Sequence, residues 1–386
     1  MDAAKSIKRV ITDQLRARIG KGKVILLFGP RQSGKTTLVR EIAADSGLDT
    51  LWLSGDEADT RALLSNTTST RLKALFGSKK LVIIDEAQRI GNIGLTLKLC
   101  ADMIPETQII ATGSSAFELA DATSEPLTGR KYEYHLFPLS YGEMVDHHGK
   151  MIEKRLLEHR LVYGTYPEVV TSPGEERELL SLLADSYLYK DVFSLGLVKK
   201  PVLLERIVQA LALQIGSEVS YNELGQLVGA DKETIERYIH MLEKCYVVFR
   251  LTSFSRNLRN ELKKSRKIYF WDTGVRNAVI RNFNPLHFRQ DIGGLWENFL
   301  VAERLKLNHY GGQPANYWFW RTHAQQEIDY IEEQGGVLSA WEFKWKANKL
   351  PRVPKSFLDA YPGCITGYVT PDTMEEFLLG GEQSAG

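Results

Sequence analysis

Val24-Ile25-Leu26-Leu27-Phe28-Gly29-Pro30-Arg31-Gln32-Ser33-Gly34-Lys35-Thr36-Thr37 is an apolar run that enters G-x-x-x-x-G-K-T. An apolar-periodic segment follows, with Leu38, Val39, Ile42 and Ala43 on one side. The pattern predicts strand, phosphate loop and helix. Gly29 and Gly34 allow the backbone to turn tightly, so that consecutive N–H groups of the loop, those of Arg31, Gln32 and Ser33 among them, point at a phosphate chain, with Pro30 part of the same loop. The helix start at Lys35 adds its positive dipole end. Lys35 reaches the β- and γ-phosphates, the Thr36 hydroxyl holds Mg²⁺, and Thr37, directly after the motif, is counted with the nucleotide-binding residues. The expected ligand is a nucleoside triphosphate, ATP with Mg²⁺.

Composition bounds what surrounds this loop. A chain of 386 residues suits two or three domains, each able to bury a core. Lys+Arg 49 against Asp+Glu 48 is balanced, so a polyanionic partner must be read from local clusters. Cys100, Cys245 and Cys364 have neither metal-ligand spacing nor a disulfide pattern, as expected in a reducing cytoplasm. The N-terminal segment mixes acids and bases without an apolar centre, unlike a secretory signal. The longest apolar runs, 24–28 and 81–84, are strand-length and predict no membrane partner.

Residues 5–20 read as an amphipathic helix and Leu51-Trp52-Leu53 as a second strand. Leu81-Val82-Ile83-Ile84 is the apolar run of a strand buried on both faces, and it ends in Asp85-Glu86. That places two carboxylates at the edge where open α/β sheets bind ligands. Asp85 would hold Mg²⁺ through water, and Glu86 would orient and deprotonate the attacking water. A further strand, Gln108 to Thr112, ends in Thr112-Gly113-Ser114-Ser115. Its polar tip either touches the γ-phosphate or water, or is an ordinary cap and turn. Arg130, on a loop after Gly129, either reaches a neighbouring subunit's γ-phosphate or is simply solvated.

The segments GPRQSGKTT (29–37), LVIIDEAQ (81–88), IIATGSS (109–115), LTGRKYEYHLFPLSYGE (127–143) and YGTYPEVV (163–170) occur in this order. Together they resemble the prokaryotic AAA-family P-loop ATPases whose C-terminal domain was long catalogued as of unknown function. The resemblance covers nearly the whole chain. It implies that 29–37 is the Walker A element and Asp85-Glu86 the Walker B pair. Thr112 to Ser114 becomes a sensor-type tip and Arg130 a trans-acting arginine of a homo-oligomer, with a hexamer as one candidate. The sequence departs from the family at Thr165, where a second glycine is usual, so that turn is expected to be tighter or shifted.

Further on, 150–215 is helical in pattern. Ser220 with Glu223 reads as a capping box, Gly229-Ala230-Asp231 as a turn, and 232–244 as a third helix. Strands at 246–251 and 267–271 complete a winged helix. The loop between them carries Arg256, Arg259, Lys263, Lys264, Arg266 and Lys267 against Glu261 alone, which predicts DNA backbone contact through the basic wing 256–267. Asp231, Glu233, Glu236 and Glu243 on the reading helix argue against groove reading. The other reading is a protein-docking module.

Residues 293–307 read as a helix with Glu297 in its first turn. Glu327–Ile331 and Val337–Lys346 read as strands joined at Gly335-Gly336. With those glycines as the loop, Asp329 lies opposite Glu342 and Glu327 opposite Lys344, all on one face. Trp341, Phe343 and Trp345 take the other face. Facing carboxylates about 5 Å apart repel unless a cation intervenes, which suits a divalent metal on Glu297, Asp329 and Glu342 with Lys344 as charge stabiliser. The order resembles the PD-(D/E)xK nuclease core. The same face could also be a solvated salt-bridge ladder.

The expected map is an α/β chain: an AAA-type P-loop domain (1–145), helical connector (146–200), winged helix (201–275) and nuclease-like domain (276–386). The expected function is an ATP-hydrolysing, oligomeric DNA-processing protein with Mg-dependent nuclease activity as an added capability. A nucleotide-gated switch that docks protein partners is the alternative.

Overall fold

The computed structural model describes residues 6–114, 127–188, 200–255, 265–312, 314–322, 324–346 and 353–380. Two compact units divide the chain. One is built from residues up to Leu139, the other from most of the chain beyond Ser140.

The first unit is a five-stranded, all-parallel sheet in the order β2-β3-β4-β1-β5. Its strands are β1 (Val24–Phe28), β2 (Thr50–Ser54), β3 (Leu81–Asp85), β4 (Gln108–Gly113) and β5 (Lys131–His135). β1 and β3 are buried along their whole length, as a sheet covered on both faces requires. Because all strands run the same way, the residues that follow β1, β3 and β4 meet at one carboxyl edge. The helix expected over 5–20 is shorter: only Thr12–Arg16 is α-helical. Of the apolar positions in that segment, Ile7, Ile11 and Leu15 are buried, while Val10 is exposed.

The second unit begins with short helices, including Tyr141–His148, Leu157–Tyr163 and Glu176–Leu182. Helices Pro201–Leu213, Tyr221–Val228 and Lys232–Lys244 follow, the last two separated by the expected turn. Ser220 Oγ accepts from Glu223 N at 3.4 Å. The reciprocal, complete capping box is at Ser140 and Glu143. A six-stranded mixed sheet then forms in the order β11-β10-β9-β8-β6-β7. It contains β6 (Val248–Ser253), β7 (Arg266–Phe270), β8 (Ala315–Arg321), β9 (Glu327–Gln334), β10 (Val337–Phe343) and β11 (Ile365–Val369).

The hairpin expected as a separate wing is therefore continuous with the C-terminal sheet, through β6 alongside β8. A boundary at 275/276 would cut between strands of one sheet and the helix Ile292–Tyr310 that packs near them. The tyrosine- and tryptophan-rich stretch around 317–320 is itself a strand, β8.

The Thr165 departure has a local explanation. Asp272 Oδ2 accepts from Thr165 N at 2.6 Å, and Asp272 Oδ1 accepts from Val275 N at 2.9 Å, capping helix Thr273–Val279. Gly164 carries the positive φ of +69°, and a Cβ there would lie 2.1 Å from Asp272 Oδ1. One glycine suffices for this turn, and Thr165 supplies donors that a second glycine would only half replace. Lys306 Nζ, 2.7 Å from Glu303 Oε1 and 3.4 Å from Thr165 Oγ1, closes the buried network. Gly164→Ala is expected to destabilise the protein by about 2–4 kcal/mol through backbone strain and a displaced buried carboxylate. Chemical denaturation reads this directly.

Candidate active site

The loop after β1 is shaped by close approach. A Cβ on Gly29 would lie 2.1 Å from the Leu136 carbonyl oxygen, and Gly34 sits at φ 94° as the N-cap of helix Lys35–Ser46. Lys35 is buried, with Nζ donating to the carbonyls of Gly29 at 2.9 Å and Pro30 at 2.8 Å. Its ammonium is thus held over the hollow of the loop. Ser33 Oγ is buried and has no hydrogen-bond partner among the described residues. Gln32 and Thr37 are exposed and Arg31 is half-buried.

Arg9, which sequence reading passed over, braces this loop from behind. Its guanidinium donates to Ser33 O at 2.6 Å and to Phe137 O at 2.7 Å. Fixing those carbonyls helps hold the neighbouring N–H groups in the hollow. Its only sequence signal is a cation within an apolar-periodic segment. Arg9→Met is expected to weaken ATP binding about tenfold, from the loss of charge-assisted bonds. A fluorescent-nucleotide titration reads the shift.

The acidic pair meets this loop at the sheet edge. Thr36 Oγ1 donates to Asp85 Oδ2 at 2.9 Å. Thr112 Oγ1 donates to Asp85 Oδ1 and accepts from Glu86 N at 3.2 Å. The Thr112 hydroxyl is therefore committed to the acidic pair. Ser114, just after β4, is linked to the Glu86 side chain through Gln88, whose Nε2 donates to Glu86 Oε2 at 2.6 Å and to Ser114 Oγ at 3.0 Å. Glu86 itself is left-handed, at φ 50° and ψ 43°. Gly55 accommodates that turn, since a Cβ on it would be 2.3 Å from Glu86 O. Gly55 was not singled out in the sequence because it acts across strands, and Gln88 entered only as the last residue of the segment 81–88.

The oxygens of Thr36 and Asp85, the cationic Lys35 and the partnerless Ser33 hydroxyl fit a magnesium-bound triphosphate. Thr36 and Asp85 would hold the ion, whose charge would offset that of the phosphates.

Arg130 lies elsewhere. It immediately precedes β5, whose first residue pairs with Val24 at the amino end of β1. The length of β1, roughly 16 Å, separates it from the loop of its own chain. Arg130 Nε donates to Asp102 Oδ1 at 2.5 Å.

The second predicted cluster also assembles. The β9–β10 register runs from Val337↔Gln334 to Trp341↔Tyr330, as a Gly335-Gly336 loop requires. Trp341 and Phe343 pack against Phe377, with ring centroids 5.1 and 5.5 Å apart. Asp329 Oδ2 accepts from Phe343 N at 2.7 Å, and Lys344 Nζ lies 3.2 Å from Glu342 Oε2 and 3.8 Å from Asp329 Oδ2. Glu297 falls in the second turn of its helix, which starts at Ile292. Burial, with Asp329 nearby, pushes Glu297 and Glu342 up to about 7. Burial also raises Asp329, against the pull of Lys267 and Lys344.

The expected metal does not fit as drawn. Glu327 pairs with Lys267, not Lys344, and Lys267 Nζ stands 2.7 Å from Glu297 Oε1 and 2.5 Å from Glu327 Oε1. Among the described residues, no group of three or more His, Cys, Asp or Glu side chains is arranged to hold a metal ion. Lys267, counted above as a wing cation, is 1 % exposed and paired with carboxylates of its own chain. Arg266 stays partly exposed over Tyr221, 4.1 Å from its ring centroid. Arg256, Arg259, Lys263 and Lys264 lie outside the described residues, as do Glu261 and Ser115.

With this geometry in view, residues 21–145 match the AAA domain family. That match lies almost wholly within the first unit. Residues 154–286 match a domain of unknown function, DUF8612, and 292–384 match another, DUF4143. An uncharacterized protein of Mycobacterium tuberculosis is 28% identical over 360 residues, covering 92% of this chain and 77% of its own length. A protein of Haemophilus influenzae is 24% identical over 282 residues, 66% of this chain and 68% of its own. The replication factor C large subunit of Methanosarcina acetivorans is 30% identical over 84 residues. That is 21% of this chain and 14% of that protein. Among solved structures, the Walker-type ATPase of Pyrococcus abyssi aligns at 16% identity and TM-score 0.49, covering 71% of this chain and 96% of that one. No helix among the described residues is long and apolar enough to cross a membrane.

Proposed function

We propose that the protein hydrolyses ATP at the Gly29–Thr37 loop and uses the cycle to process DNA as a homo-oligomer. The observation that carries this is the convergence of Lys35, Thr36, Asp85 and Glu86 on one sheet edge. Lys35 and the loop amides bind the phosphates, while Thr36 and Asp85 hold Mg²⁺. Glu86, oriented by Gln88, takes a proton from the attacking water. Thr112 fixes the acidic pair by bonding both its members.

Arg130 is assigned to the neighbouring subunit's γ-phosphate. Its distance from its own loop fits that role, in which assembly completes each site. Arg130→Ala is expected to reduce turnover at least about a hundredfold with ATP affinity kept. Mixing it with Glu86→Gln should restore turnover, because each variant supplies what the other lacks. No restoration would remove the trans role.

DNA backbone contact is assigned to the basic segment 256–266, without sequence reading by the acidic helix Lys232–Lys244. The local likeness to a protein named for replication agrees with this. Binding should weaken steeply as salt rises, in the manner of phosphate contacts. The switch reading draws support from the inward turn of Lys267 and the acidic reading helix. It predicts ATP turnover that no DNA changes. DNA cutting is not assigned to the C-terminal cluster, since the Lys267 ammonium is paired with Glu297, one of the carboxylates expected to hold the cation.

A further inference from the structure

We propose that Lys267 is the resident cation of the C-terminal carboxylate cluster, taking the place of a divalent metal and keeping the site metal-free. This stands apart from the ATPase reading. Four carboxylates gather here, Glu297, Glu327, Asp329 and Glu342, and each has a partner within the chain. Lys267 bridges Glu297 and Glu327 at 2.7 and 2.5 Å. Tyr269 Oη donates to the same Glu297 oxygen at 2.6 Å. Arg321 approaches Glu327 at 3.7 Å, and Lys344 serves Glu342 and Asp329.

The lysine is placed by the fold. It sits on β7, at the edge of the sheet that also contains β9 and β10, and Leu251 is its β6 register partner. Its ammonium lies 5.4 Å from the Phe319 ring centroid, and burial leaves it 1 % exposed. Burial works against its charge, but Glu297, Glu327 and Asp329 outweigh this and hold its pKa above the ordinary lysine value. A divalent ion needs several oxygens converging at about 2.0–2.6 Å. Here Glu297 already gives one oxygen to the ammonium and to a phenol, and a second cation beside Lys267 would be repelled. The hairpin read as a DNA wing thus supplies an internal counter-ion to the nuclease-like face.

The test is Mn²⁺ binding to nucleotide-free, full-length protein, read by electron paramagnetic resonance. Wild type should show no saturable uptake that depends on Asp329. Lys267→Ala leaves unpaired carboxylates and should gain a saturable Mn²⁺ site, with a Tm that rises by several degrees on adding the ion. The gain should vanish in Lys267→Ala/Asp329→Asn. Lys344→Met, which keeps Lys267 in place, should gain nothing. Lys267→Gln provides a polar, uncharged second variant if the alanine protein does not fold. The proposal is overturned if wild type binds Mn²⁺ and Asp329→Asn abolishes it. It is equally overturned if a folded Lys267 variant takes up none.

Discussion

Glu86→Gln should lower ATP turnover about 10²–10⁴-fold while ATP still binds. The amide keeps the size and the hydrogen-bonding reach of the carboxylate but cannot accept a proton. The left-handed backbone at Glu86 is supported by Gly55 and by the Thr112 hydroxyl, both untouched by the change. The loop, Lys35 and the Thr36–Asp85 contact are also unchanged, so nucleotide affinity should stay within a few-fold. Steady-state hydrolysis paired with a binding titration separates the two effects. If binding and turnover fell together, Glu86 would belong to the structural support of the pocket.

The second large effect is expected at Gly29. Gly29→Ala puts a methyl 2.1 Å from the Leu136 carbonyl, a backbone atom that cannot rotate away. Leu136 N in turn donates to Phe28 O at 2.7 Å, so relief requires β1 and the segment after β5 to separate. The loop amides and Lys35 then lose their common aim. ATP affinity should fall about a hundredfold or more, equivalent to losing two or more charge-assisted bonds. A folded variant with native affinity, checked by circular dichroism and titration, would contradict this.

These two residues also show what the sequence made legible. Gly29, Lys35, Thr36, Asp85 and Glu86 lie next to apolar runs whose burial sets the strand direction, so local pattern placed them all at one edge. The β9–β10 register was legible for a similar reason, because a Gly-Gly loop fixes which residues face each other. Contacts made at long range were not legible. Arg9 meets Phe137 across 128 residues, and Lys267 meets Glu297 and Glu327 from another hairpin. A buried lysine and a solvated wing lysine look identical in a basic run. The tie of Thr112 to Asp85 and Glu86 was not legible either, because those partners come from a neighbouring strand. β5, Lys131-Tyr132-Glu133-Tyr134-His135, was missed because an edge strand with a partly exposed surface lacks the apolar run that marked β1 and β3.

The central claim is that this P-loop hydrolyses ATP in the service of DNA. ATP turnover by wild type, measured with and without double-stranded DNA at low salt, tests it most directly. The account predicts turnover that DNA raises several-fold, that high salt returns to the basal rate, and that Glu86→Gln lacks. Basal turnover unaffected by any DNA would contradict the DNA assignment, and no turnover under any condition would contradict the ATPase itself.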